Sequence, residues 1–288
     1  METVRVVDVT AANAGDLCRL CVPPERREDP AFVTGMAEKG KWVAAMLDRW
    51  GAVAKLAYWG AVPAGQIQYV PLPDHEAVAI TCIYVPAEDH WHRGVATRLL
   101  DSLIEDMGRP KPWFGGRPVR VLVTKTFPGE KPGQFSARAF FLGRGFRQVE
   151  ACPDALFLPL LPGADLVDVT EWPSAEDLLW TSGSSRYVPQ PDDAGVALII
   201  YGPSFCPFSF TLLKKAEELV REAAPEILIR WISRSEQPVE VERRGGFAGC
   251  VVNATPITSF VLDRQGFQRE VRAALEGARP RGTAADIR

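Results

Sequence analysis

Ile83-Tyr84-Val85, seven further residues, then Arg93-Gly94-Val95-Ala96-Thr97-Arg98-Leu99-Leu100 decide how the first half of this chain is read. Three strand-favouring residues lead toward a glycine, and beyond it Val95, Leu99, Leu100, Leu103 and Ile104 recur at helical spacing. The pattern predicts a strand, a tight turn and an amphipathic helix whose buried face holds the turn rigid. A helix that starts on a glycine offers unpaired backbone N–H groups at the positive end of its dipole. Such an end binds pyrophosphate, so a coenzyme A cradle is expected here. Ile83 and Val85 would pair by backbone with the pantetheine arm. His92, Arg93, Gly94, Val95, Ala96, Thr97 and Arg98 would hold the pyrophosphate. The competing reading is a helix that begins on glycine and binds nothing.

Further along lie the β-rich run Val119-Arg120-Val121-Leu122-Val123 and then Gln134-Phe135-Ser136-Ala137-Arg138-Ala139-Phe140-Phe141-Leu142-Gly143-Arg144-Gly145-Phe146. This second stretch resembles the Asn-x-x-Ala-x-x-Phe-Tyr helix, ending at Gly-Phe, of the GNAT superfamily of N-acetyltransferases. The turn at Gly94 resembles that superfamily's Gln/Arg-x-x-Gly-x-Gly/Ala loop, and the two lie in the right order about 40 residues apart. The resemblance implies an α/β sandwich on a mixed sheet, acetyl-CoA as cofactor, and Gln134 as a cofactor contact in place of the usual Asn. Trp91 replaces the first Gln or Arg, and Ala96 the last small residue; backbone N–H groups, with Arg93 and Arg98, still serve a phosphate. The tyrosine that many members use as general acid is Phe141, and a phenyl ring donates no proton.

Composition sets outer limits. With 288 residues, 47% of them hydrophobic, the chain can build two cores. A net charge of −3 and a pI near 5.8 argue against a nucleic-acid surface. No apolar run is long enough to cross a bilayer, and Met1-Glu2-Thr3-Val4-Arg5 lacks the apolar core of a signal peptide, so a cytoplasmic protein is expected. Six cysteines in that context read as reduced thiols.

The predicted layout is a first domain over residues 1–160, a Pro-, Gly-, Asp- and Ser-rich connection over 161–195, and a second, smaller α/β domain over 196–288. In the first, strands are expected at Val4–Val9, Val53–Tyr58, Gln66–Val70 and Ala77–Val85, with helices around Cys18 and Cys21 and from Lys41 to Trp50. In the second, the strand Val196–Tyr201 precedes Gly202-Pro203-Ser204-Phe205-Cys206-Pro207-Phe208-Ser209 and a helix through Leu212 to Arg221. A strand Ile227–Ile232, strands near Cys250–Asn253 and Phe260–Leu262, and a helix Phe267–Leu275 follow. This order resembles thioredoxin, with Cys206-Pro207 at the mouth of the first helix and Thr255-Pro256 where thioredoxins carry a cis-proline. A helix N-terminus favours thiolate, so Cys206 is a candidate reactive thiol. Ser209 stands where a second cysteine would complete a Cys-x-x-Cys pair. The alternative is that Cys206 is a small, half-buried core residue.

Both halves together, with Cys18 and Cys21, Lys41-Trp42, Gln68-Tyr69-Val70-Pro71, Cys82-Ile83-Tyr84-Val85 and Val252-Asn253, resemble the YoaP-type two-domain acetyltransferases. That resemblance implies acetyl-CoA use and names no acceptor. Cys18 and Cys21 are spaced to share a helix face; they read as packing residues or as a redox or soft-metal pair, with Cys82 or Cys206 as a third sulfur. No second pair completes a zinc site, and no metal is expected.

Direct transfer to an amine needs a base and a proton donor. Glu76, Glu88, Asp89 and His90 are candidate bases, Tyr84 and Tyr69 candidate donors, and a backbone N–H where the fourth and fifth strands splay would polarise the thioester. Each has a bland reading as a solvated loop carboxylate or a packed tyrosine. The expected activity is acetyl-CoA-dependent N-acetyl transfer to a small-molecule amine, with no nucleic acid or membrane partner. The alternative is a catalytically reduced CoA-binding protein whose second domain binds a thiol, disulfide or soft metal through Cys206.

Overall fold

A computed structural model describes residues 4–126, 136–150, 152–164 and 187–277. The chain divides into two compact units, residues 1–28 with 39–175 and residues 29–38 with 176–288.

The first unit is built on a seven-stranded sheet in the order β1-β2-β3-β4-β5-β7-β6. Its strands are β1 (Val4–Asp8), β2 (Ala54–Trp59), β3 (Val62–Leu72), β4 (Ala77–Tyr84), β5 (Val121–Lys125), β6 (Arg147–Val149) and β7 (Cys152–Pro159). Neighbours run antiparallel except β4 and β5, which are parallel and joined through α3 (Val95–Met107). The apolar stripe of α3, Val95, Leu99, Leu100, Leu103 and Met107, is buried against Ile67 and Tyr69 of β3 and Val78 and Ile80 of β4. Phe141 of α4 (Ala137–Leu142) joins the same core. Burying four or five such side chains stabilises the helix by roughly 1.5–3 kcal/mol each, and this fixes the turn from which α3 starts. Ala54, Leu56 and Tyr58 of β2 pack instead with Leu17 and Cys18 of α1 (Ala14–Leu20) and with Val43 of α2 (Pro30–Trp50).

The second unit has a four-stranded sheet in the order β11-β10-β8-β9. The strands β8 (Val196–Tyr201) and β9 (Leu228–Ser233) are parallel, while β10 (Gly249–Val252) is antiparallel to both β8 and β11 (Thr255–Ile257). One face, with Ile199, Cys250, Val252 and Ile257, is covered by α5 (Phe208–Ala223) and α7 (Arg264–Glu276). The other, with Leu198, Ile200 and Val251, packs on Tyr187, Phe247 and Val241 of the short α6 (Pro238–Glu242).

Several elements differ from the sequence reading. Helix α2 begins at Pro30, eleven residues ahead of Lys41, because Asp29 accepts a bond from the Ala31 N–H at 2.9 Å and proline fits a first helical position. The strand expected at Phe260–Leu262 lies instead at Thr255–Ile257. Asn253 and Ala254 both take positive φ, 49° and 57°, which closes a two-residue hairpin directly after β10. Residues 260–262 then lead into α7, whose first turn is capped by Asp263 accepting from the Gly266 N–H at 3.0 Å. Among the described residues no peptide bond is cis, so Thr255-Pro256 does not reproduce the expected cis-proline.

Candidate functional site

The ladder between β4 and β5 ends at Ile80↔Thr124, while β4 continues alongside β3 as far as Tyr84↔Gln66. Beyond Ile80 the two parallel strands therefore part. Thr124 marks the divergence by donating its hydroxyl to the Ile80 carbonyl at 3.0 Å. At the same level β4 holds one extra residue: Tyr69 pairs with Ile80 and Gln68 with Cys82, leaving Thr81 bulged. The buried Thr81 hydroxyl has no hydrogen-bond partner among the described residues.

From Tyr84 the chain passes through a 3-10 turn, Glu88–His90, to the start of α3. The Trp91 indole N–H donates to the Val85 carbonyl at 2.9 Å and closes this loop. That contact explains the residue at the position where Gln or Arg was expected. His92 and Gly94 both lie in the left-handed region, with φ of 56° and 79°. Among the described residues nothing lies within 4 Å of where a Gly94 Cβ would stand, so glycine is required by the backbone conformation and not by crowding. Gly94 supplies no side-chain cap, and the first helical bond runs from the Arg98 N–H to its carbonyl at 2.9 Å. The amides of Val95, Ala96 and Thr97 are left at the helix start, the condition for anion binding. Arg93 and Arg98 flank them on the exposed surface.

Two further side chains, not singled out from the sequence, belong to this end. Arg144, in the turn after α4, hydrogen-bonds to the Thr97 hydroxyl and lies 3.7 Å from Asp101. Trp59, at the end of β2, stacks on His90 with ring centroids 5.4 Å apart, and the Arg93 guanidinium sits 5.5 Å from the Trp59 centroid. The Arg144 signal was present in Gly143-Arg144-Gly145, but nothing local ties Trp59 to the loop.

The other expected residues divide. Ile83 faces Ile67, and both Ile83 and Val85 pack partly against the α3 core. Tyr84 is exposed at the end of β4, and Glu88 and Asp89 are exposed in the loop. His90 Nδ1 is buried without a hydrogen-bond partner among the described residues. Tyr69 is fully buried, and its hydroxyl donates to the Ala52 carbonyl at 2.8 Å; burial first, then the carboxylates of Asp106 and Asp8, push it well above the ordinary tyrosine range. It packs and does not reach the diverging strands. Glu76 stands at the opposite end of β4, paired with Arg117 and Arg120. Phe141 is buried against Phe140 and Phe146. Gln134 lies outside the described residues.

The cysteines also separate. Cys18 sits in the core, its thiol pushed up chiefly by burial. Cys21, just past the end of α1, turns its sulfur to Gln66 of β3 and Lys39 of α2. In the second unit Cys206 is half-buried before α5, and the Ser209 hydroxyl donates to its carbonyl at 2.8 Å. Cys250 is in the core, and burial pushes its thiol up. Among the described residues no group of three or more His, Cys, Asp or Glu side chains is placed to hold a metal ion. No described helix is long and apolar enough to cross a membrane.

Residues 21–111 match the model of the acetyltransferase (GNAT) family. No curated protein matches the chain. Among solved structures, an acetyltransferase of the GNAT family from Staphylococcus aureus Mu50 aligns over 55% of this chain and 100% of its own, at 14% identity and a TM-score of 0.40. The paia N-acetyltransferase from Thermoplasma acidophilum, solved in complex with coenzyme A, aligns over 54% of this chain and 96% of its own, at 10% identity and a TM-score of 0.39. The ribosomal-protein-S18-alanine N-acetyltransferase from Escherichia coli aligns over 57% and 99%, at 15% identity and a TM-score of 0.37.

Proposed function

We propose that the first unit binds acetyl-CoA and transfers its acetyl group directly to an amine. The observation that carries this reading is the coincidence, along one strand-to-helix connection, of the parting from β5 after Ile80 and the uncapped turn at Gly94. A pantetheine arm lying along Ile83 to Val85 would take the place of the missing β5 partner and bring the pyrophosphate to the amides of Val95, Ala96 and Thr97. Arg93, Arg98 and Arg144 add positive charge there. An N–H beside the Thr81 bulge would polarise the thioester carbonyl. The amine loses a proton to His90 or Glu88 and attacks that carbonyl; the C–S bond breaks, and the departing thiolate takes a proton from Tyr84, the candidate tyrosine at the exposed end of β4. Phe141 takes no part.

For the second unit we propose a thioredoxin-like arrangement. It is supported by the strand order with β8 and β9 parallel and β10 reversed, and by Cys206-Pro207 opening α5. The trans Thr255-Pro256 bond departs from that pattern.

The test is release of free CoA thiol from acetyl-CoA with a panel of small amines. Turnover above the rate without acceptor, lowered at least tenfold in Tyr84→Phe, is expected. Tight CoA binding without turnover on any amine would instead favour a CoA-binding module.

A further inference from the structure

A second constellation lies on β3 and β4 and takes no part in the proposed transfer. Gln66 Nε2 points at two sulfurs, Cys21 Sγ at 2.9 Å and Cys82 Sγ at 3.7 Å, although these cysteines are 61 positions apart. Gln66 Oε1 accepts from Lys39 Nζ at 3.2 Å, and the same ammonium is 3.7 Å from Cys21 Sγ. Lys39 and Gln66 are fully buried. A buried ammonium costs several kcal/mol unless an anion neutralises it, yet among the described residues no carboxylate lies within ion-pair distance of Lys39. Gln68, 1% exposed and hydrogen-bonded to Cys82, has its Oε1 without a hydrogen-bond partner among the described residues. Two sulfurs thus converge on one polar N–H group, with an uncommitted carbonyl oxygen and an unbalanced positive charge beside them.

We propose that Cys21 and Cys82 form a two-coordinate site for a monovalent soft cation, copper(I) or silver(I), with Lys39 as its counter-charge. Thiolate sulfur selects soft cations, and the absence of a third ligating side chain among the described residues disfavours ions that need three or four. Charge chooses the valence. Two thiolates with a monovalent cation carry one net negative charge, which Lys39 neutralises; with a divalent cation the buried cluster would keep a net positive charge. On binding, the two S–H protons leave to solvent, two metal–sulfur bonds form, and no electron is transferred. Gln66 Nε2, which holds the place between the sulfurs, swings aside.

The test uses the full-length reduced chain under anaerobic conditions. Copper(I) is titrated against a copper(I)-specific chelator, and X-ray absorption is recorded on the loaded protein. One equivalent held by two sulfurs is expected, at least about a hundredfold weaker in C21S and in C82S, unchanged in C206S, and at least about tenfold weaker in Lys39→Met. Zinc(II) should bind the wild type more weakly than copper(I) and gain affinity in Lys39→Met. Should the serine variants fail to fold, the Gln66 and Gln68 side-chain amide resonances of the wild type should shift at one equivalent of silver(I). The proposal is overturned if those resonances stay fixed while silver binds, if three sulfurs surround the copper, or if C206S and not C21S or C82S abolishes binding.

Discussion

Two strand-to-helix junctions in this chain start from similar sequence and end differently. Where β4 gives way to α3, a left-handed Gly94 leaves amides uncapped and open space where a side chain would be. Where β8 gives way to α5, Cys206-Pro207 is enclosed within its own unit. The Phe32 ring meets Phe208 edge-on at 4.9 Å, and a Cβ on Gly35 would fall 2.1 Å from the Pro207 carbonyl oxygen. Nearby polar atoms do not share this contrast. Among the described residues, Thr81 Oγ1 and His90 Nδ1 near the first junction have no hydrogen-bond partner, and neither does Ser233 Oγ, opposite Tyr201 at the end of β8. The charges near the start of β8 are tied to one another: buried Arg244 pairs with Asp193 at 2.5 Å and Glu240 at 2.8 Å, and Tyr187 bonds to Asp193. An uncapped helix start with open space around it suits a ligand, whereas an enclosed one suits a scaffold.

The largest expected effect falls in the second unit, before the start of β8. Removing Asp193 leaves buried Arg244 only the part-exposed carboxylates of Glu240 and Asp192, so Asp193→Ala should cost up to about 3–5 kcal/mol in denaturant unfolding, against less than about 1 kcal/mol for the exposed Glu105→Ala. Burial raises the Asp193 carboxyl, but the bonds from Arg244 and Tyr187 outweigh it and hold it below its ordinary value of 3.8. A depressed carboxylate contributes stability that is present above pH 4 and lost as the pH falls through the folded-state value. The second unit should therefore loosen only below about pH 4, and Asp193→Ala should flatten that limb.

Next, Gly35→Ala forces a methyl onto the Pro207 carbonyl and should lower stability by about 1–3 kcal/mol. An unchanged thermal midpoint would mean that the junction at Cys206 is less enclosed than described. On the open side, Gly94→Glu sets a carboxylate against the pyrophosphate and should weaken coenzyme A by more than tenfold, about 1.4 kcal/mol. Gly94→Asn, which tolerates the left-handed conformation, should stay within a few-fold. The smallest effect is expected at the buried Phe141. Phe141→Tyr should leave acetyl-transfer turnover within a few-fold, and a large gain would show that the missing hydroxyl, and not Tyr84, limits proton transfer.

The sequence carried the first junction almost completely, because a glycine turn and a helical stripe from Val95 to Leu103 are local signals. It carried the closed junction poorly. Gly35 and Gly40 weaken the helical signal of α2, and the reason for Gly35, the approach of a backbone carbonyl 172 positions away, is not local. The Asn253-Ala254 hairpin escaped notice since alanine seldom takes positive φ. Cys82 could be read only as one possible third sulfur beside Cys18 and Cys21; Gln66 joins it to Cys21 because β3 and β4 fold beside α1. Tyr69 and Tyr84 lie on adjacent strands, but Tyr69 pairs with Ile80 and Tyr84 with Gln66, and Tyr69 points into the α3 core.

The central claim is that the open junction at Gly94 holds the pyrophosphate of coenzyme A. Calorimetric titration of the full-length chain with coenzyme A and with pantetheine, which lacks the pyrophosphate and nucleotide, tests it most directly. One-to-one binding of coenzyme A is predicted, at least about a hundredfold tighter than pantetheine, roughly 2.7 kcal/mol, with most of that difference lost in Gly94→Glu. Equal affinity for the two compounds, or a difference that survives Gly94→Glu, would contradict it.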